Sequence, residues 1–372
     1  MFPGKLPLKA IFRICLLIAA LHLVGCGGED ASITQRFAYV ANNGSNNVSA
    51  FTIDATSGAL TAVAGSPFVA GTGPLSVSVD PSGKFAYVAN FNSNNVSAFR
   101  INTATGALSA VAGSPFAAGS GPFSVSVDPS GNFAYVANNG SNNVSAFTID
   151  ATSGALTAVA GSPFVAGTGP LSVSVDPSGK FAYVANFNSN NVSAFRINTA
   201  TGALTAVAGS PFAAGSGPLS VCVDPSGNFA YVANFNANNV SAFAIDTATG
   251  ALTAVAGSPF AAGTFPRSVT VDPSGNFAYV ANDISNNVSA FTIDTATGAL
   301  TAVAGSPFAA GTGPFSVTAD PSGNFAYVAN NGSNNVSAFT IDATSGALTA
   351  VAGSPFAAGM GPDSVAITAT IN

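Results

Sequence analysis

The hexapeptide Phe-Ala-Tyr-Val-Ala-Asn begins at Phe37, Phe85, Phe133, Phe181, Phe229, Phe277 and Phe325, each start 48 residues after the one before. A period of this length confines a chain to a solenoid, a propeller or a related array, in which each unit buries its faces against copies of itself. The copies are close. Residues 37–84 and 133–180 are identical, and 85–132 differs from 181–228 at three positions, as duplication of a two-unit block would leave them.

Each unit reads as four short strands. In the second unit, residues 75–79 alternate and run into Asp80-Pro81-Ser82-Gly83, with Asp, Pro and Gly where a type I turn favours them. Strands over 85–89, 96–101 and 107–112 follow, and Gly113-Ser114-Pro115-Phe116 opens a Gly-rich linker to the next unit. Phe85 and Tyr87 fall on one face and Ala86 and Val88 on the other, so a bulky face can nest against the small-residue face of the next unit. Burial of both faces accounts for a charged fraction of 6%, against about 25% in ordinary soluble chains. The expected fold is all-β, a seven-bladed β-propeller with four antiparallel strands per blade. The repeat is entered at its second strand and left at residues 364–371, which match a first strand. The C-terminal strand is therefore expected to pair with the N-terminal blade and close the ring, removing free sheet edges.

Lys5, Lys9 and Arg13 precede an apolar run over 14–24 that is too short for a comfortable membrane span. The run ends in Leu23-Val24-Gly25-Cys26, which resembles the lipobox of bacterial lipoproteins. That resemblance implies cleavage before Cys26 and a diacylglycerol on its sulfur, a firm membrane anchor once a second chain is added. The expected organisation is a signal peptide over 1–25, a linker over 26–36 and the propeller over 37–372. The expected location is the bacterial cell envelope, and Gly27 in place of Asp points to the outer membrane. Cys15 lies in the discarded segment, so Cys222 has no partner for an intramolecular disulfide and reads as a small buried filler. The net charge is −6, and the basic residues after the signal are scattered, which excludes a nucleic-acid partner.

The run Pro-x-Ser-Val-x-Val-Asp-Pro-Ser-Gly-x-Phe-Ala-Tyr-Val-Ala-Asn resembles the YVTN-type repeats of bacterial surface propellers. With Gly-Ala-Leu-Thr-Ala-Val-Ala-Gly-Ser-Pro-Phe added, the chain is similar to the seven-bladed lactonase family that includes 6-phosphogluconolactonase. The shared motifs are turn and packing residues, so they imply a fold more strongly than an activity. That family carries Pro-Arg-His before one inner strand and Asn-Glu after the next strand. In the sixth blade Phe265-Pro266-Arg267-Ser268 replaces the Gly-Pro-Leu/Phe-Ser usual in the others, and Asn282-Asp283-Ile284 follows in place of Asn-Asn-Gly or Asn-Phe-Asn. The resemblance thus implies catalytic roles for Arg267 and Asp283, with Arg267 holding a carboxylate, a phosphate or an oxyanion. Ser268 stands where the family has its His. Asp363 replaces Leu or Phe at the start of the closing inner strand and joins Arg267 and Asp283 as a ligand-binding candidate at the channel mouth.

The one histidine, His22, lies in the signal segment, so the usual general base near pH 7 is missing. The repeated Asp of Asp-Pro-Ser-Gly reads as a turn cap, and acidic side chains are too sparse for a calcium cage. No metal or cofactor is expected, and Arg100 and Arg196 are expected on an exposed strand face. Two functions fit. One is a non-catalytic, monomeric binding or scaffold module of the envelope, anchored through Cys26 and engaging a protein or glycan. The other is a lactonase, a carboxylic ester hydrolase. The sixth-blade departures favour the second reading, but the missing His, the export signal and the near-identical blades favour the first, and a non-catalytic module rather than an enzyme is the expectation.

Overall fold

The computed structural model describes residues 35–368, and every regular element among them is a β-strand. The expected signal peptide, Cys26 and residues 369–372 lie outside this range. Seven antiparallel sheets follow one pattern, shown by the second blade. Its inner strand Pro74–Val79 pairs with Phe85–Asn90, which pairs in turn with Asn95–Ile101. The outermost position is shared by Leu108–Ala110 and Phe116–Ala117, both paired with Asn95–Ile101. The segment expected to be a linker is therefore partly sheet, because Ser114 Oγ accepts the Ala98 N–H at 2.9 Å and folds it back against the blade.

The repeated motifs each bond one blade to the next. Phe37 and Tyr39 of the first blade pack in one cluster with Ala86 and Val88 of the second, so the bulky and small faces nest as their alternation predicts. Each motif Tyr is fully buried and donates its hydroxyl to a turn glycine of the following blade, as Tyr87 does to the Gly154 carbonyl at 3.0 Å. That glycine has φ +79°, and a β-carbon there would lie 2.3 Å from the Phe85 ring. Only glycine satisfies both demands. The turn aspartates also match expectation: Asp80 is buried and its Oδ1 accepts the N–H groups of Lys84 and Phe85 at 2.8 and 2.6 Å.

Closure uses the same contacts. Pro362–Ile367 pairs with Arg36–Asn42, and Tyr327 donates to the Gly58 carbonyl at 2.8 Å, from the seventh blade to the first. Thr368 stands where other blades have the turn aspartate, and its Oγ1 accepts the Phe37 N–H at 2.9 Å. Arg36 and Asp320, both buried, form an ion pair at this junction.

Candidate functional site

Every inner strand carries a β-bulge at its first residues. In the second blade Pro74 faces Asn90 and Ser76 faces Ala89, which leaves Leu75 without a partner. A bulge re-aims the extra side chain and is a recurrent device beside binding sites. Around the ring the bulged residues are Leu75, Phe123, Leu171, Leu219, Arg267, Phe315 and Asp363. Arg267 and Asp363 thus occupy one position on two blades, separated by the seventh blade and its Phe315. Residues following the second strand, such as Phe91, Phe235 and Asp283, stand at the same end, since Pro266 pairs with Asn282.

The structure brings Arg267 and Asp283 together. Arg267 Nε donates to Asp283 Oδ2 at 2.8 Å, with both side chains largely shielded from solvent. The guanidinium carbon lies 3.6 Å from the centroid of the Phe315 ring and 5.1 Å from that of Phe235. Cation–π contact and the ion pair hold the group from three sides. Among the described residues neither Nη group donates to a protein acceptor, so both remain for a ligand oxygen.

Phe265 lies beside the pair. It adopts φ +58°, where six sister blades have glycine. A bulky residue in this region costs on the order of 1–3 kcal/mol and persists only where its surroundings fix it. Three contacts do so: its N–H donates to Asn238 Oδ1 at 2.8 Å, its carbonyl accepts the Asp283 N–H at 3.0 Å, and its ring stacks on Phe235 with centroids 4.4 Å apart. The two backbone contacts are those the sister glycines also make, so what Phe265 adds is the stacked ring, which extends an aromatic wall.

Asp363 is partly buried and, among the described residues, accepts no hydrogen bond. Desolvation pushes its carboxyl up to about 7, and the positive charge of Arg267 opposes the shift. Ser268, at the family's His position, is committed elsewhere: its Oγ accepts the Val317 N–H at 3.3 Å, as Ser76 does for Val125 at 3.2 Å. It is one of the hydroxyls that join adjacent inner strands.

Phe235 and Phe315 were not among the sequence candidates, and their roles follow from ring position. Cys222 packs against the core between the fifth and sixth blades, where burial pushes its thiol up to about 11. Arg100 and Arg196 are exposed as expected, each over a Phe ring at 5.0 Å. At the other end, grooves between Asp-Pro-Ser-Gly turns, such as that lined by Asp80, Lys84, Ser130 and Asn132, recur around the ring and follow from blade spacing. Among the described residues no group of three or more His, Cys, Asp or Glu is placed to hold a metal ion.

The sequence matches the family model described as lactonase, 7-bladed beta-propeller, over residues 30–121 and 124–313, and the LVIVD repeat model over 321–334. A search of curated proteins returned no match. Among solved structures, the chain is similar to a Bacteroides uniformis protein provisionally described as a 6-phosphogluconolactonase (20% identity, TM-score 0.79, 90% of this chain and 99% of that one). It is similar also to a Bacteroides fragilis protein described in the same way (22%, 0.78, 91% and 99%). A third is the periplasmic gluconolactonase of Pseudomonas aeruginosa (21%, 0.76, 90% and 99%). The lactonase model match overturns the expectation of a non-catalytic scaffold, and with it the preference against an enzyme. The missing histidine was one of three grounds for that expectation, and it does not exclude a base at this mouth, because burial raises the Asp363 carboxyl toward neutrality.

Proposed function

Since this chain belongs to the seven-bladed β-propeller lactonase family, we propose that it hydrolyses a lactone at the channel mouth built by blades five, six, seven and one. The observation that carries the proposal is the immobilised Arg267, held by Asp283 and two Phe rings with its Nη groups free. A donor fixed in advance stabilises charge that develops on a carbonyl oxygen without reorganising during reaction.

In this mechanism the lactone carbonyl oxygen accepts from the Nη groups of Arg267. Asp363, ionised, takes a proton from a water molecule as its oxygen bonds to the carbonyl carbon. The tetrahedral oxyanion is held by Arg267. It collapses with cleavage of the bond to the ring oxygen, which leaves as an alkoxide and takes the proton back from Asp363. The product is a hydroxy acid, and Asp363 returns to its starting state. A base with a value near 7 is well matched to this cycle at neutral pH. The periplasmic gluconolactonase provides a precedent on this fold for lactone chemistry outside the cytoplasm, consistent with export and anchorage of this chain through Cys26.

The test is hydrolysis of a panel of lactones by the purified protein and by Arg267→Leu, which restores a residue found at the equivalent position of three other blades. The variant is expected to melt like the parent and to lose about 100-fold or more in kcat/KM. The parent's kcat/KM is expected to rise with pH around a midpoint near 7, and Asp363→Asn to abolish that dependence. Full activity in Arg267→Leu overturns the proposal.

A further inference from the structure

Resting on the lactonase reading of this site, we infer that the substrate is a neutral lactone bearing an apolar substituent, and that Phe265 is its specificity-determining residue. Charge at the mouth argues against a phosphorylated sugar. Among the described residues Arg267 is the one cation at this end, and Asp283 already neutralises it. Lys84 and Lys180 flank the Asp-Pro-Ser-Gly turns at the opposite end, Arg100 and Arg196 lie on exposed third strands, and Arg36 is buried against Asp320. A phosphate dianion would therefore meet a compensated arginine and a second carboxylate, Asp363. Phosphate recognition ordinarily recruits several cations or a set of convergent backbone donors.

The walls carry the positive half of the argument. Phe235 and Phe265 stack, Phe187 lies 6.2 Å from Phe235, and Phe315 covers the far side of Arg267. Four large apolar side chains are strongly exposed among the described residues. All four stand toward this end: Val69 and Val165 on outer strands paired with Asn47 and Asn143, and Ile284 at 59% and Met360 at 60% in the segments beside the inner strands. Ile284 follows Asp283 directly, and the Met360 carbonyl accepts the Gly44 N–H beside the blade that carries Asp363. Ile284 and Met360 thus border the sector holding Arg267 and Asp363. An alkyl or aryl substituent would bury apolar surface against these rings.

The test uses δ-lactams, which keep the ring carbonyl but resist hydrolysis, titrated calorimetrically into the purified protein. Three probes are compared: a δ-valerolactam with a pentyl chain, gluconolactam and 6-phosphogluconolactam. The pentyl probe is expected to bind at least about tenfold more tightly than gluconolactam, with the phosphorylated probe weakest. Phe265→Gly, the residue of the other six blades, is expected to melt no lower than the parent and to lose about tenfold in affinity for the pentyl probe. Equal or tighter binding of either sugar probe, failure of all three to bind, or an unchanged affinity in Phe265→Gly overturns the inference. Hydrolysis of the matching lactones is scored separately. Tight binding of the pentyl probe, lost in Phe265→Gly, without turnover of any lactone upholds the apolar recognition by Phe265 and sinks the catalytic reading.

Discussion

At the scale of single residues, Asp363 shows how a fold can impose chemistry on an ordinary side chain. Raising its carboxyl from 3.8 to about 7 costs the folded protein at most about 4 kcal/mol when the group is ionised. The sign follows from the order of ionisation. Well below pH 3.8, folded and unfolded chains both hold the proton, and no cost arises. As pH rises the unfolded chain ionises first, so the folded state loses relative stability, and the loss is complete above about 7. Asp363→Leu is therefore expected to melt higher than the parent at pH 8 and to differ little at pH 3.5, by calorimetry at both values. A shift of equal size at both pH values would show that packing, not ionisation, sets the effect. The carboxyl was visible in the sequence as a departure from Leu or Phe, but its titration range was not, because that depends on burial and on Arg267 across the seventh blade.

At the scale of the element, the inner strand combines two tasks. Its serine hydroxyls accept N–H groups of the neighbouring strand, and its bulge turns one side chain into the mouth. The alternation over 75–79 reveals the strand, and the Asp-Pro-Ser-Gly run reveals the turn that ends it. Neither reveals the bulge, which arises from pairing with Phe85–Asn90 and so depends on contacts between strands. For the same reason Phe235 and Phe315 carry no local mark. Phe also occupies their columns at Phe91, Phe187 and Phe123, and only the juxtaposition of blades five to seven gives them a role. The outer Phe116–Ala117 segment was hidden within a Gly-rich stretch, since a two-residue strand has too little periodicity to read. The closing strand yields a prediction at this scale. Removing residues 362–372 exposes the edge of Arg36–Asn42 and deletes the partner of Phe37 in the Thr368 contact. The truncated protein is expected to melt lower by about 10 °C or more, a loss of several kcal/mol. An unchanged transition would contradict ring closure through this strand.

At the scale of the whole molecule, seven near-identical units make a ring whose symmetry serves stability and whose exceptions serve function. The motif residues Phe, Tyr, Asn and Asp recur because each bonds the next blade or its own turn, and the period alone made that architecture legible. The four departures Phe265, Arg267, Asp283 and Asp363 are scattered over 99 positions of sequence, yet the ring gathers them at one mouth. The most direct test of this account is a symmetrised protein carrying Phe265→Gly, Arg267→Leu, Asp283→Asn and Asp363→Leu, assayed for lactone hydrolysis alongside its melting temperature. The account predicts a propeller that melts at or above the parent value at pH 8 and no longer opens lactones. Retention of the parent's hydrolysis rate in that folded, symmetrised ring would contradict it.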